Sequence, residues 1–296
     1  MPWLQEKTRK DRDWLYIFGL AIQIICMAVN PKHHRKGKEK MIRKTTLTLG
    51  SLICSVFFLT MYSLAAADTV PKFTIYTENY KPYNFEKDGK IQGIAVELLT
   101  QMLEKAGSSQ TLADIKLVPW ARGYDAVQKN EKTLLFSTAR TEEREDLFKW
   151  VCPIKTITEE LWALKSKNIK LNTLKDAAKY RIGTLRNDVG EQLVVSRCGV
   201  PVDKLQRANK YEFNVKKLMA GRIDLFPMSH ISLTVFSKEL GLDINKFESV
   251  FVLNTSHLCF AFSKDTSDDV IAKFQKALDE LIEAGAPQQL TKKYME

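Results

Sequence analysis

The chain has 296 residues, with 45 Lys and Arg against 35 Asp and Glu and a formal net charge of +10. Residues 1–67 hold 11 of the basic and 4 of the acidic side chains, which leaves 34 and 31, a net charge of about +3, on residues 68–296. That field is too weak to argue for a nucleic-acid surface, while the remaining 229 residues are enough for a large core.

The N-terminal part reads as two unlike segments. Residues 14–29 are an apolar run of sixteen interrupted by Gln23, shorter than the roughly twenty that a spanning helix needs, and 32–40 are strongly basic. The expectation is that Met41 is the natural start and that 1–40 are an over-long start. From Met41 the sequence MIRKTTLTLGSLICSVFFLTMYSLAAA has the order of a secretory signal. Arg43 and Lys44 form its basic start, 47–64 its apolar run, and Ala65, Ala66 and Ala67 its small-residue cleavage site. Cleavage after Ala67 predicts a periplasmic protein, as opposed to an uncut anchor.

Beyond residue 68, short β-rich runs alternate with amphipathic helices. Strands are predicted at 73–76, 115–118, 134–137, 180–183, 223–226 and 258–263. Ile94, Ala95, Leu98, Leu99, Met102 and Leu103 share one helical face, ended by Gly107. A second such helix runs from Val270 to Ile282, with Thr266 and Asp269 as a capping box and Gly285 as its stop. This alternation predicts an α/β fold with parallel sheets. Cys152, Cys198 and Cys259 permit one disulfide, but their spacing names no pair and suggests no metal.

The block that carries chemistry is FSTARTEEREDLFKWVCP, 136–153. Thr141 reads as a helix N-cap followed by acidic Glu142 and Glu143, directly after a buried strand. Arg140 and Arg144, near the positive end of that helix, suit a carboxylate or another anion; the competing reading is that Arg144 pairs with Glu143 or Asp146 on a solvated face.

Four segments in order resemble the family 3 bacterial extracellular solute-binding proteins. They are YKPYNFEKDGKIQGIAVELL (80–99), TARTEER followed by FKWVCPI (138–154), LKDAAKYRIGTLRNDVGEQL (174–193) and GRIDLF (221–226). The resemblance implies a two-lobed periplasmic-binding-protein fold of type II, two α/β lobes joined by two crossover strands. Residues 68–160 plus 257–296 are expected to form lobe 1 and 161–256 lobe 2. It further implies a monomer that closes on a small polar or anionic ligand, an amino acid or related carboxylate, for an ABC permease of the inner membrane, without a cofactor or metal. Position by position, Arg144 matches the arginine that grips the ligand's carboxylate, and Thr141 begins the same turn. Tyr83 and Phe85 match the aromatic side of the cleft, with Trp120 and Arg122 where the second strand opens toward it. Arg186 and Asp188 fall in the second-lobe loop whose helix N-terminus completes the anion site.

Two departures stand out. The second-lobe loop reads Arg186, Asn187, Asp188 where the family has G-T-[ST], and Ser229 stands where amino-acid receptors place an Asp for the α-ammonium. A hydroxyl cannot neutralise a buried ammonium, so Asp188, Glu78 or Glu97 must take over or the ligand is anionic. His230 and His257 each follow a serine, without a nucleophile elbow. Two alternatives remain: a ligand sensor without a permease, and a cyclohexadienyl-dehydratase-like enzyme using Glu78, Glu97 and Asp188 as acids.

Overall fold

A computed structural model describes residues 70–295. The extension and leader read from 1–67 lie outside the described residues.

Strand β1 (Thr74–Thr77) is followed by the hairpin β2 (Phe85–Lys87) and β3 (Lys90–Gln92), then helix α1 (Ile94–Lys105), strand β4 (Ile115–Leu117) and helix α2 (Trp120–Lys129). The apolar stripe predicted on α1 is its buried face, and Gly107, at φ 75°, ends the element in the left-handed region that glycine adopts without a Cβ clash. Next come β5 (Thr133–Arg140), buried along almost its whole length, and the long β6 (Lys149–Leu164). The chain continues through β7 (Gly183–Leu185), α3 (Val189–Cys198), β8 (Gln206–Ala208), α4 (Tyr211–Met219), β9 (Phe226–Ser229) and α5 (His230–Glu239). It returns along β10 (Phe247–Phe262) to the helices α6 (Asp268–Glu283) and α7 (Ala286–Met295).

The main sheet has the order β4-β1-β5-β10-β6-β9. Its first three strands are parallel, as expected, but β10 lies antiparallel to β5 and to β6, and β9 antiparallel to β6, so the sheet is mixed. The sixteen-residue strands β6 and β10 are the crossovers. At one end they join the first lobe through β5, where Leu258 faces Ala139; at the other they enter the second lobe, where Glu159 faces Ser229 of β9. The second lobe adds the parallel pair β7 and β8, with Ile182 bridged to Leu225, and packs its own core from Leu161, Ile169, Ile182, Leu193, Leu225 and Leu253.

Several local expectations are corrected. The strands predicted at 180–183 and 223–226 sit about three residues later, and neither β6 nor the first half of β10 is among the predicted strands. Ser267, not Thr266, caps α6, and no side-chain cap bond is made there. A disulfide joins Cys152 to Cys259, from the first-lobe ends of the two crossovers, while Cys198 is free and buried in the second-lobe core. Among the described residues no helix is long and apolar enough to cross a membrane.

Candidate functional site

Arg144 is the centre of the candidate site. After β5 the chain turns through one short 3-10 helix, Glu142–Leu147, in which Arg144 N–H donates to the Thr141 carbonyl at 3.1 Å. This tight turn swings the Arg144 side chain inward, where it is 1 % exposed, instead of leaving it on the solvated face. Its Nε donates to Gln192 Oε1 of α3 at 2.8 Å and its Nη1 to the Ala139 carbonyl at 3.2 Å, while Nη2 has no hydrogen-bond partner. The guanidinium lies over the rings of Tyr124, 4.8 Å away, and Trp120, 5.6 Å away, which stack on each other one helical turn apart on α2. The α-helix expected after Thr141 is therefore a 3-10 turn, and Thr141 makes no side-chain cap bond.

Arg144 borders a cavity of about 20 Å³ between the lobes, on the scale of one water molecule. Its polar walls are Glu78, Tyr80, Ser137, Glu159, Asp188 and Tyr211, and its apolar ones include Trp120, Ile157 and Leu258. Ser137 holds a left-handed φ of 57°, rare for a residue with a Cβ, and its buried Oγ has no partner. Glu159 Oε2 is likewise buried and unpartnered. The walls thus contribute two orphaned atoms of complementary kind, Arg144 Nη2 from a base and Glu159 Oε2 from an acid.

The acids respond to their surroundings. Burial, and secondly the neighbouring carboxylate of Asp188, push both Glu78 and Glu159 well above the ordinary carboxylate range. Burial lifts Asp188 to about 7, although the Glu191 amide and Arg144 oppose the shift. Burial also pulls Arg144 below the usual guanidinium value. The phenols of Tyr80 and Tyr211 are raised, again chiefly by burial. Among the described residues no group of three or more His, Cys, Asp or Glu is arranged to hold a metal.

Several contacts bridge the lobes around the cavity. Trp120 Nε1 donates to the Asn187 carbonyl at 2.8 Å, Tyr80 OH bonds Ser229 Oγ at 3.3 Å, and Lys81 pairs with Glu239. The rings of Tyr80 and Tyr211 meet at 5.2 Å.

The residues singled out from sequence fare unequally. Arg144, Trp120 and Asp188 meet at the cavity. Tyr83 is buried behind it, packed on Tyr80, with its hydroxyl unpartnered. Phe85 turns away to pack on Tyr294, Arg122 is exposed on α2, and Arg186 is exposed and lines a separate basic hollow with Arg207 and Arg222. Ser229 lies outside the cavity wall as the N-cap of α5. The N-terminus of α3 is not an open anion site, because Asp188 caps it, accepting the Glu191 amide at 2.8 Å. Of the acids considered, Glu97 pairs with Lys293 and Tyr294 and takes no part in the cavity wall. Sequence reasoning misses Glu159; the signal that could have found it is the alternating buried register Ile157, Glu159, Leu161 of β6, which places the acid on the inward face between two apolar neighbours.

The model of the bacterial extracellular solute-binding proteins, family 3, matches residues 74–296. The chain belongs to this family. It is 22% identical over 215 residues to the probable amino-acid-binding protein YxeM of Bacillus subtilis, covering 72% of this chain and 79% of that one. It is 24% identical over 221 residues to a probable histidine-binding protein of Campylobacter jejuni, covering 73% and 81%. Among solved structures, a histidine kinase sensor domain with similarity to periplasmic binding proteins superposes with a TM-score of 0.65 at 18% identity, covering 76% of this chain and 96% of that one. The arginine-, lysine-, histidine-binding protein ArtJ of Geobacillus stearothermophilus does so with a TM-score of 0.63 at 18% identity, covering 76% and 95%. At these identities the structural matches establish the two-lobed fold.

Proposed function

We propose that this protein is an exported, non-catalytic binding protein that captures an amino acid between its lobes, as a monomer, for ABC-type uptake. One observation carries the reading: two buried, unpartnered groups, basic Arg144 Nη2 and acidic Glu159 Oε2, belong to the walls of one cavity. A buried polar atom without a partner costs free energy that a ligand supplying the partner recovers. A molecule with a carboxylate for Arg144 and a protonated amine for Glu159 fits that pair. Glu159 takes the role that a neutral Ser229 leaves open, from the adjacent strand. With Arg144 the one cation among the lining residues, a dicarboxylate finds a single counter-charge and leaves the acids of the wall unused, so the anionic alternative gives way to an amino acid, and a basic side chain suits the remaining acids. The relatives' names point the same way, to amino acids, to histidine, and to arginine, lysine and histidine.

A cavity on the scale of one water is too small for an amino acid, so the lobes part to admit it and close on it, excluding water and strengthening each polar contact. Lobe 1 is read as 68–160 plus 257–296 and lobe 2 as 161–256, with export directed by 41–67. The test is a thermal-shift panel on protein refolded from denaturant to strip bound ligand. Amino acids are expected to raise the midpoint, by up to about 2.7 kcal/mol of stabilisation at a hundred times Kd, and dicarboxylates are not. A shift with dicarboxylates alone overturns the assignment of Glu159. Permease and ATPase genes beside this one favour uptake; a lone gene leaves sensing open.

A further inference from the structure

The charged and titratable groups around the cavity come from every element packed against it. Glu78 and Tyr80 follow β1, Tyr124 is on α2, Arg144 follows β5, Glu159 is on β6, Asp188 caps α3, and Tyr211 is on α4 with Glu212 beside it. On α5 and β10 the groups joined to this wall are the hydroxyls of Ser229 and Ser232 and the side chain of Leu258, while His230 and His257 are exposed; Glu160, next along β6, adds a further carboxylate beside Glu159. Arg144 is thus the one cation against three carboxylates, all four buried, with space for about one water among them. Fully ionised, this cluster would carry a net charge of about −2 with almost no solvent to screen it, an arrangement that burial disfavours strongly. Among the described residues, no donor makes a side-chain hydrogen bond to Glu78 or Glu159 that would hold it ionised; Asp188 has the Glu191 amide, 2.8 Å away, and the Tyr211 hydroxyl, 3.4 Å away.

Resting on the ligand reading above, we propose that this site trades protons for its ligand: the closed, ligand-free cavity keeps Glu159 and Glu78 as carboxylic acids, and capture of a protonated amine expels at least one carboxyl proton to solvent. The carboxyl O–H bond breaks, its electron pair stays on the carboxylate, the ammonium retains its three hydrogens, and the proton goes to water or buffer. Glu159 is the first group to give up its proton, because its free Oε2 is the acceptor the amine meets. The upward displacement of both glutamates by burial agrees with this geometry. The functional consequence is capture that tightens as the medium becomes less acidic and loosens as it acidifies, about tenfold per pH unit for each proton released.

Two measurements test it. The first needs no ligand: side-chain carboxyl carbons of the refolded, ligand-free protein are followed by 13C NMR from pH 4 to pH 9. At least one glutamate carbon is expected to titrate well above the exposed glutamates of the same protein and to be missing in Glu159→Gln or, should that variant misfold, in Glu78→Gln. The second is calorimetry with L-lysine and L-glutamine as probes in phosphate and in bis-Tris at pH 6.5, which differ in ionisation enthalpy. Net release of up to about one proton is expected on binding, with Kd falling by up to about tenfold per pH unit below the glutamate titration, and Glu159→Gln is expected to abolish the release. If every glutamate titrates with the exposed ones, the proposal is overturned whatever binds, and binding without proton release overturns it too. A displaced titration with no binding of either probe overturns the amino-acid reading, and the exchange with it, while the stored proton stands.

Discussion

Replacing Arg144 by alanine tests the site most directly. The guanidinium has two bonds within the protein, to Gln192 Oε1 and the Ala139 carbonyl, and lies over Tyr124 and Trp120; the free Nη2 is left for a ligand. A charge-assisted contact to a ligand carboxylate in this dry setting is worth about 2–4 kcal/mol once the cost of leaving the partner unpaired is included. Arg144→Ala is therefore expected to weaken binding of the best ligand about 30-fold to several hundred-fold, at about 1.4 kcal/mol per factor of ten. Arg144→Lys keeps the charge but not the planar fork, and should fall between the two. Isothermal calorimetry on refolded protein measures the change, with circular dichroism confirming the fold. A folded Arg144→Ala protein that binds with unchanged Kd would falsify the role of Arg144 and remove the reason for placing a carboxylate beside it.

Three further outcomes follow from the same geometry. Glu78, Glu159 and Asp188 all have folded-state values raised by burial, so their contribution to stability is full below the unfolded carboxylate range of about pH 4 and is lost as pH rises through their folded values, about 7 for Asp188. The melting temperature of the ligand-free protein should fall from pH 5 to pH 8, and a flat profile, or one that Glu159→Gln does not flatten, contradicts the burial of these acids. Gly93 has φ 131°, and a Cβ there would lie 2.4 Å from the Tyr83 carbonyl oxygen. Gly93→Ala should cost at least about 2 kcal/mol in urea unfolding, and no change in midpoint would show that the Tyr83 turn does not press on α1. Cys152→Ser with Cys259→Ser removes a crosslink between residues 107 apart. A loss of about 2–5 kcal/mol is expected, the upper end being the chain-entropy value for a loop of this length, and equal stability in the double variant counts against it.

The parts of the fold that are legible in the sequence are those where a core imposes its period. Helices α1 and α6 each present one continuous apolar face to the first-lobe core, so their stripes and their terminal glycines appear in the sequence. The crossovers do not behave this way. Around Lys155, Thr156, Asn254 and His257 they leave one lobe for the other with much of their surface exposed, and no packed face dictates alternation there. The site shows the same split. Arg144 and Trp120 lie in segments placed by the family resemblance, Asp188 in the loop that departs from it, and all three reach the cavity. Arg122, Phe85 and Arg186 are motif neighbours whose side chains a single turn of backbone points elsewhere. Glu159 is hidden beside Glu160, since two adjacent acids read as a solvated pair, although on a strand such neighbours face opposite ways and one can be buried.

The order of the cysteines along the chain gives the topology a consequence during synthesis. Past residue 67, a chain emerging N-terminus first presents Cys152, then Cys198, and only after β9 and α5 does it present Cys259. In an oxidising compartment the earliest thiol pair of this region is therefore the wrong one. The native pairing requires Cys198 to be withdrawn, and the core that buries it, built around Leu161, Ile182, Leu193 and Leu225, comes almost wholly from chain made before Cys259 appears. A second-lobe core that packs before Cys259 is made would hide one sulfur and keep the other available for the partner still to come.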